Sequence, residues 1–293
     1  MSLVSGPGSA TQWISSFIKA FAAADVSNKL GGPFGDEPAW DEPLVGFASG
    51  DDQIFEVFKE AVGPVHWTPE EIFRLTFPSS IVEAADLSVI SWVLPQTTLT
   101  KKDNSKNRST PSERWVRSRT FGEQFNEALK KQVETTLADA GYEAVSPALS
   151  PLWMRFDKVT GDYVSTWSER HVAHAAGLGT FGLCDGLITP AGKAVRLGSA
   201  VVRLRLDPTS RSYKTWHEYC PFLENGKCGV CIQRCPAGAI SGRGHDKKKC
   251  AAYCRPFLTN FIKENFGFDG VGCGLCQTGV PCESGIPDNC LFE

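Results

Sequence analysis

The chain has 293 residues, 42% of them hydrophobic and 22% charged, a normal balance for a globular protein with a real core. Its formal net charge is −3, and residues 216–293 are neutral, with eight basic and eight acidic side chains, so the excess acid falls on residues 1–215. Such a balance argues against nucleic acid or an anionic membrane as a partner, and no apolar run approaches the ~20 residues that span a bilayer.

MSLVSGPGSA has neither a basic leader nor an apolar stretch, so no secretory signal is expected and a cytoplasmic location follows. Residues 11–25 and 51–62 have helical periodicity. Thr68-Pro69-Glu70-Glu71 is a capping box with proline at the first helical position, so a short helix starts there. LSVISWVLP (87–95) reads as a buried strand. KKDNSKNRSTPS (101–112) reads as a polar loop, and 120–141 as the longest helix, ended by Gly141. YEAVSP suggests a strand. SERHVAHAAG (168–177) is helical with Ser168 as N-cap, and GSAVVRLRL (198–206) alternates as a strand does. From about residue 216 the pattern changes to turns punctuated by cysteines. Two domains are therefore expected: an α/β part over 1–215 and a small cysteine-rich part over 216–293.

Ten of the eleven cysteines lie between 220 and 290, and Cys184 stands alone as an expected buried small hydrophobe. Thiols crowded this way in a cytosolic chain mean metal rather than disulfides. CGVCIQRCP (228–236) is the ferredoxin run C-x2-C-x2-C-x3-C-P without its first cysteine. Cys220 can supply it, because the Asn225-Gly226 turn folds the intervening loop back. A second set follows: Cys250, Cys254, Cys273, Cys276, Cys282 and Cys290. Two-cluster ferredoxins exchange the last cysteine of each motif. One [4Fe–4S] cluster is thus assigned to Cys220, Cys228, Cys231 and Cys282, the other to Cys235, Cys250, Cys273 and Cys276, with Cys254 a rival to Cys250. Thiolates suit an iron–sulfur cluster because they are soft and anionic. The alternative is one zinc held by Cys228, Cys231, Cys273 and Cys276.

Gly177, Gly179 and Gly182 match the dinucleotide fingerprint G-x-G-x-x-G, but a helix precedes them and a strand-like segment follows, the reverse of what that site needs. The segment SERHVAHAAGLGTFGLCDGLITPAGKAVRLGSAVV (168–202) instead resembles epoxyqueuosine reductases, relatives of the corrinoid-dependent reductive dehalogenases. KKKCAAY followed by GCGLC extends the resemblance and favours Cys250 over Cys254. It covers about 85–293, and residues 1–84 have no assigned role.

The resemblance implies a nitroreductase-like α/β domain followed by a two-cluster ferredoxin-like domain. It also implies cobalamin as a further cofactor, with Gly177, Gly179, Gly182, Gly198 and Ser199 against the corrin ring, where glycine permits close approach. Where epoxyqueuosine reductases carry a catalytic aspartate, this chain has Tyr163, beside Asp162; a tyrosine is the proton donor in the dehalogenases. His174 sits where part of a cobalamin lower-ligand motif would fall, but Val172 replaces its aspartate, so a structural role is expected. The expected function is an iron–sulfur oxidoreductase of this kind. It would pass electrons from an external donor of ferredoxin or flavodoxin type through two clusters to cobalamin, and reduce a small organic or nucleoside-like substrate. The alternative is an electron-transfer protein with no substrate of its own, serving a partner such as a corrinoid protein.

Overall fold

A computed structural model describes residues 7–156 and 163–288. In chain order the elements are α1 (Pro7–Ala24), β1 (Leu44–Ser49), α2 (Ile54–Ala61), α3 (Pro69–Thr76), β2 (Ser88–Pro95), α4 (Thr98–Lys106) and α5 (Glu113–Asp139). Then come β3 (Ala144–Val145), β4 (Arg155–Phe156), β5 (Val164–Ser165), α6 (Glu169–Ala175), β6 (Thr180–Phe181), β7 (Leu187–Ile188) and β8 (Val195–Val202). The cysteine-rich part carries α7 (Pro221–Asn225), α8 (Val230–Gln233), β9 (Ile240–Ser241), β10 (Gly244–His245), α9 (Lys247–Ala252) and α10 (Leu258–Phe266).

The main sheet runs β1-β2-β8-β3, and every pairing in it is antiparallel. The mixed helix-and-sheet expectation holds, in its α+β form. All eight residues of β2 are buried, because both faces of the sheet are covered. Val89 and Val93 face a layer built from α2, α3 and α6, with Phe55, Phe58, Phe73 and Val172 in it. Ile90, Trp92 and Leu94 face the opposite layer, with Ile14 and Ile18 of α1 and Phe125 and Leu129 of α5. The period of two along the strand thus places alternate side chains in two cores.

The capping box forms as read: Thr68 accepts from the Glu71 amide, and the Glu71 carboxylate accepts from the Thr68 amide. Ser168 behaves differently from expectation. Its side chain makes no cap bond to the helix backbone and pairs with His171 Nδ1 at 2.8 Å. The expected loop 101–112 is half helix, since α4 runs to Lys106. Thr97 caps it by accepting from the Thr100 amide.

The cysteine-rich part is fastened to the sheet through residues 192–194. The Lys193 amide donates to Cys282 O at 2.8 Å, and the Ala194 amide to Glu283 O. A Cβ on Gly192 would lie 2.2 Å from Glu283 O, so glycine is what permits this approach. No described helix is long and apolar enough to cross a membrane.

Candidate functional site

Between α5, the start of β8, the β4–β5 hairpin and the N-terminus of α6 lies a cleft of about 620 Å³. Its lining carries six cations, Arg119, Lys130, Arg155, Arg170, Lys193 and Arg196, against three carboxylates, Glu123, Glu127 and Glu169. Trp153 and Trp167 form an apolar wall. The two indoles are fixed: Trp153 Nε1 donates to Trp167 O at 3.1 Å, and Trp167 Nε1 to Ser199 Oγ at 2.9 Å.

The charges are interlocked. Arg196 Nε and Arg119 Nη1, the latter at 3.3 Å, both reach Glu123 Oε2. Lys130 Nζ stands 3.9 Å from Glu123 Oε1 and 3.5 Å from Glu169 Oε1. Burial would raise the Glu123 carboxyl, but Arg196 and the other cations win and hold it below its usual range. Arg119 is lowered to about 9, first by the neighbouring Arg196 guanidinium and then by burial. Glu169 goes the other way: burial raises it, offset only in part by Lys130 and by the hydroxyl of Ser199, which donates to Oε2 at 2.5 Å. Its Oε1 is buried and has no hydrogen-bond partner.

Lys193 joins this cleft to the cysteines. It is buried, it lines the cleft, and its Nζ donates to Cys184 Sγ at 3.4 Å. Burial would lower its ammonium; the sulfurs of Cys184, Cys282, Cys231 and Cys276 outweigh that and raise it. Cys184 hydrogen-bonds with Cys231 and then Cys276, which holds it well below the usual thiol range while both partners are pushed up. Cys184, Cys220, Cys231 and Cys282 share one apolar cluster with half-buried Cys235 and Cys276. Away from it, Cys254 pairs with Cys250 and Cys273, beside Tyr253 and within the influence of Cys235. Cys228 is half-buried, and Cys290 lies outside the described residues. Among the described residues no group of three or more His, Cys, Asp or Glu side chains converges on a single metal ion. The described cysteines are free thiols, soft donors of the kind iron–sulfur chemistry uses; Cys276 sits with Cys220, Cys231, Cys235 and Cys282, whereas Cys250 and Cys273 sit with Cys254, so the two groups do not reproduce the two assigned sets.

Arg234 ties the two cysteine segments together. Its guanidinium is buried and donates to Leu275 O and Thr278 O, and also to Ser105 O and Asn107 O at the end of α4.

At the glycines assigned to a corrin ring, the space beside each Cα is taken by the protein's own atoms. A Cβ on Gly179 would stand 2.2 Å from Ile188 O, and one on Gly198 2.5 Å from the Trp92 indole. Gly177 backs onto Thr209 and Ser210 at 3.1 Å, and Gly182 onto Ile188 at 3.2 Å. Ser199 is committed to Trp167 and Glu169. On the side where a Cβ would stand, each of these glycines is closed by the protein itself, and no step is derived through a corrin ring. Tyr163 is half-buried with φ 53° immediately before β5, two residues from Ser165 on the cleft wall; Asp162 lies outside the described residues. His174 is core, as expected: Nδ1–H donates to Gly179 O at 2.8 Å, and the ring stacks on Trp216 and Tyr213.

Sequence reading missed the charged cleft. Arg119, Glu123 and Lys130 sit on α5, where an i, i+4 ion pair reads as a solvated helix face. The available signal was the pair of cations Lys193 and Arg196 at the start of an otherwise apolar strand. Cys184 was read as an inert hydrophobe; it is buried, yet it touches two assigned ligands.

No family model matches the chain. Among curated proteins it is 33% identical over 124 residues to the epoxyqueuosine reductase of Bacillus anthracis, and 30% over 125 residues to that of Staphylococcus aureus. Each match covers 41% of this chain and only 30% of the relative's length. Among solved structures, the epoxyqueuosine reductase of Bacillus subtilis, with its catalytic loop swung out of the active site, aligns with a TM-score of 0.50 at 18% identity. That alignment covers 95% of this chain and 70% of the other. A catabolic reductive dehalogenase aligns with a TM-score of 0.53 at 15% identity, over 98% and 34%. The resemblance read from residues 168–202 and the cysteines is thus borne out: the chain is related to the epoxyqueuosine reductases, and it shares its fold with them and with a reductive dehalogenase.

Proposed function

We propose that the chain is an iron–sulfur reductase acting on a small organic or nucleoside-like substrate in the charged cleft. One observation carries this reading: buried Lys193 touches both the cleft and the cysteine group, so the site of reduction and the site of electron supply adjoin. Cys220, Cys228, Cys231 and Cys282 would hold one [4Fe–4S] cluster, and Cys235, Cys250, Cys273 and Cys276 the other. Bound clusters supply single electrons. The chain's own residues do the rest. Arg119 and Arg196 set a positive field, the two tryptophans shape the wall, and Glu169 Oε1, beside the Lys130 ammonium, is placed to accept a hydrogen bond from the bound substrate.

Net charge does not bar a nucleoside from this site. The charge of −3 belongs to the whole chain, whereas the cleft has a local excess of three cations. The curated relatives are named for epoxyqueuosine, a modified nucleoside of tRNA, so the proposed substrate class extends to nucleosides.

Anaerobic reconstitution tests the reading. The expected product is brown, with about eight iron atoms per chain, as two four-iron clusters require. A colourless protein holding one zinc overturns it. Cobalamin added to the reconstituted protein separates the two classes of function. Stoichiometric retention with a base-off spectrum supports a corrinoid reductase of the dehalogenase kind. No retention in any redox state, together with no turnover, leaves the electron-transfer protein.

A further inference from the structure

We infer that the cleft is built for a small organic anion that also carries a hydrogen-bond donor. This rests on the reading of the chain as a reductase and names the class of its substrate. Three cations, Arg119, Arg196 and Lys130, share two carboxylates, Glu123 and Glu169. The two guanidiniums converge on one oxygen of Glu123, so a single carboxylate balances two fixed charges. Guanidinium donors left over in such an arrangement match an oxyanion, because their planar fork offers paired N–H groups.

Glu169 supplies the second requirement. Its Oε2 is satisfied by Ser199, while Oε1 is buried without a hydrogen-bond partner, with the Lys130 ammonium 3.5 Å away. A buried acceptor left unmade is costly, so a ligand donor placed there gains more than it would in water. The recess favours a small molecule over a polymer backbone. Lys130 is almost wholly covered, and only about a third of the Arg119 and Arg196 side chains is exposed. A hydroxy-carboxylate has both features, and the nearby indoles of Trp153 and Trp167 would cover its carbon skeleton.

The test is calorimetric titration of the cluster-reconstituted protein with lactate, propionate, inorganic phosphate and a short RNA stem-loop. Lactate and propionate differ only by the hydroxyl. Lactate is expected to bind about tenfold more tightly, the worth of one hydrogen bond to a charged group. Arg196→Gln should weaken both acids by about tenfold or more. Glu123→Gln keeps the side-chain shape, releases both guanidiniums from their countercharge, and should tighten both acids. These opposite signs cannot arise from misfolding, which would weaken binding in either variant. Equal affinities across the wild type and both variants, or binding of the RNA alone, overturn the inference. Failure to take up iron and sulfide would sink the reductase reading instead, and is scored separately by metal analysis before any titration.

Discussion

Gly198 shows what one missing side chain can mean. A glycine in a strand signals close approach by something, and the sequence does not say whether that is a ligand or a neighbour. Here it is a neighbour: the Trp92 indole occupies the space a Cβ would need. That indole donates to Asn126 Oδ1 at 3.0 Å, and Asn126 Nδ2 donates to Leu197 O at 3.0 Å, so the strand edge beside Arg196 is held by this chain of bonds. Gly198→Ala should cost about 1–3 kcal/mol by overpacking and lower the melting temperature by several degrees, at about 2–4 °C per kcal/mol. Differential scanning fluorimetry reads it directly. An unchanged melting temperature would mean the space is open, as a ligand-facing glycine requires. Gly179 repeats the lesson against Ile188 O. Residue type was legible at both places; the identity of the approaching group was not.

At the scale of elements, legibility followed the source of stability. α3 was readable because its cap is local, and β2 because burial on both faces leaves a continuous apolar run. α4 was not. Eight of its nine residues are polar, its length is far short of what folds alone, and long-range bonds hold it in place. Asn104 Nδ2 donates to Thr278 Oγ1 at 3.0 Å, and Arg234 caps the helix end by bonding Ser105 O and Asn107 O. Those bonds join residues more than a hundred positions apart, which no window of sequence displays. Arg234→Ala would leave carbonyls of α4 and of the second cysteine segment without donors. The expected loss is about 3 kcal/mol or more, since each buried carbonyl stranded costs 1–3. The midpoint of chemical denaturation of the cluster-free protein measures it; a shift under ~1 kcal/mol would mean water replaces the guanidinium and that Arg234 is not the tie between the segments.

Across the whole molecule the most uniform feature is a layer of neutral histidines under the sheet. His66, His171 and His174 lie among Phe58, Phe181, Trp167 and Trp216, with His66 stacked on Trp167 and His174 on Trp216. Burial is the leading cause that lowers all three: His66 to about 4, His174 to about 4 and His171 to about 2. Nearby cations act in the same direction, Lys59 on His66, Arg170 and Lys247 on His171, and Arg211 on His174. Glu71 opposes weakly at His66. In the unfolded chain each imidazole binds a proton near pH 6.5. Between that pH and the folded values the unfolded state holds more protons, so stability rises with pH there. It is complete above about 6.5 and is lost as the pH falls toward 4. The loss amounts to a few kcal/mol per histidine, because each tenfold change in proton affinity corresponds to about 1.4 kcal/mol. Melting temperatures of the cluster-free protein, followed by tryptophan fluorescence, should be level from pH 8 to 7 and drop steeply from pH 6 to 4.5. His174→Phe keeps the stacked ring and removes one titrating group. Its melting temperature at pH 7 should be lower, because the bond to Gly179 O is gone, but its decline with acid should be shallower than the wild type's. An identical decline in the two proteins would place the acid sensitivity elsewhere than in this histidine layer.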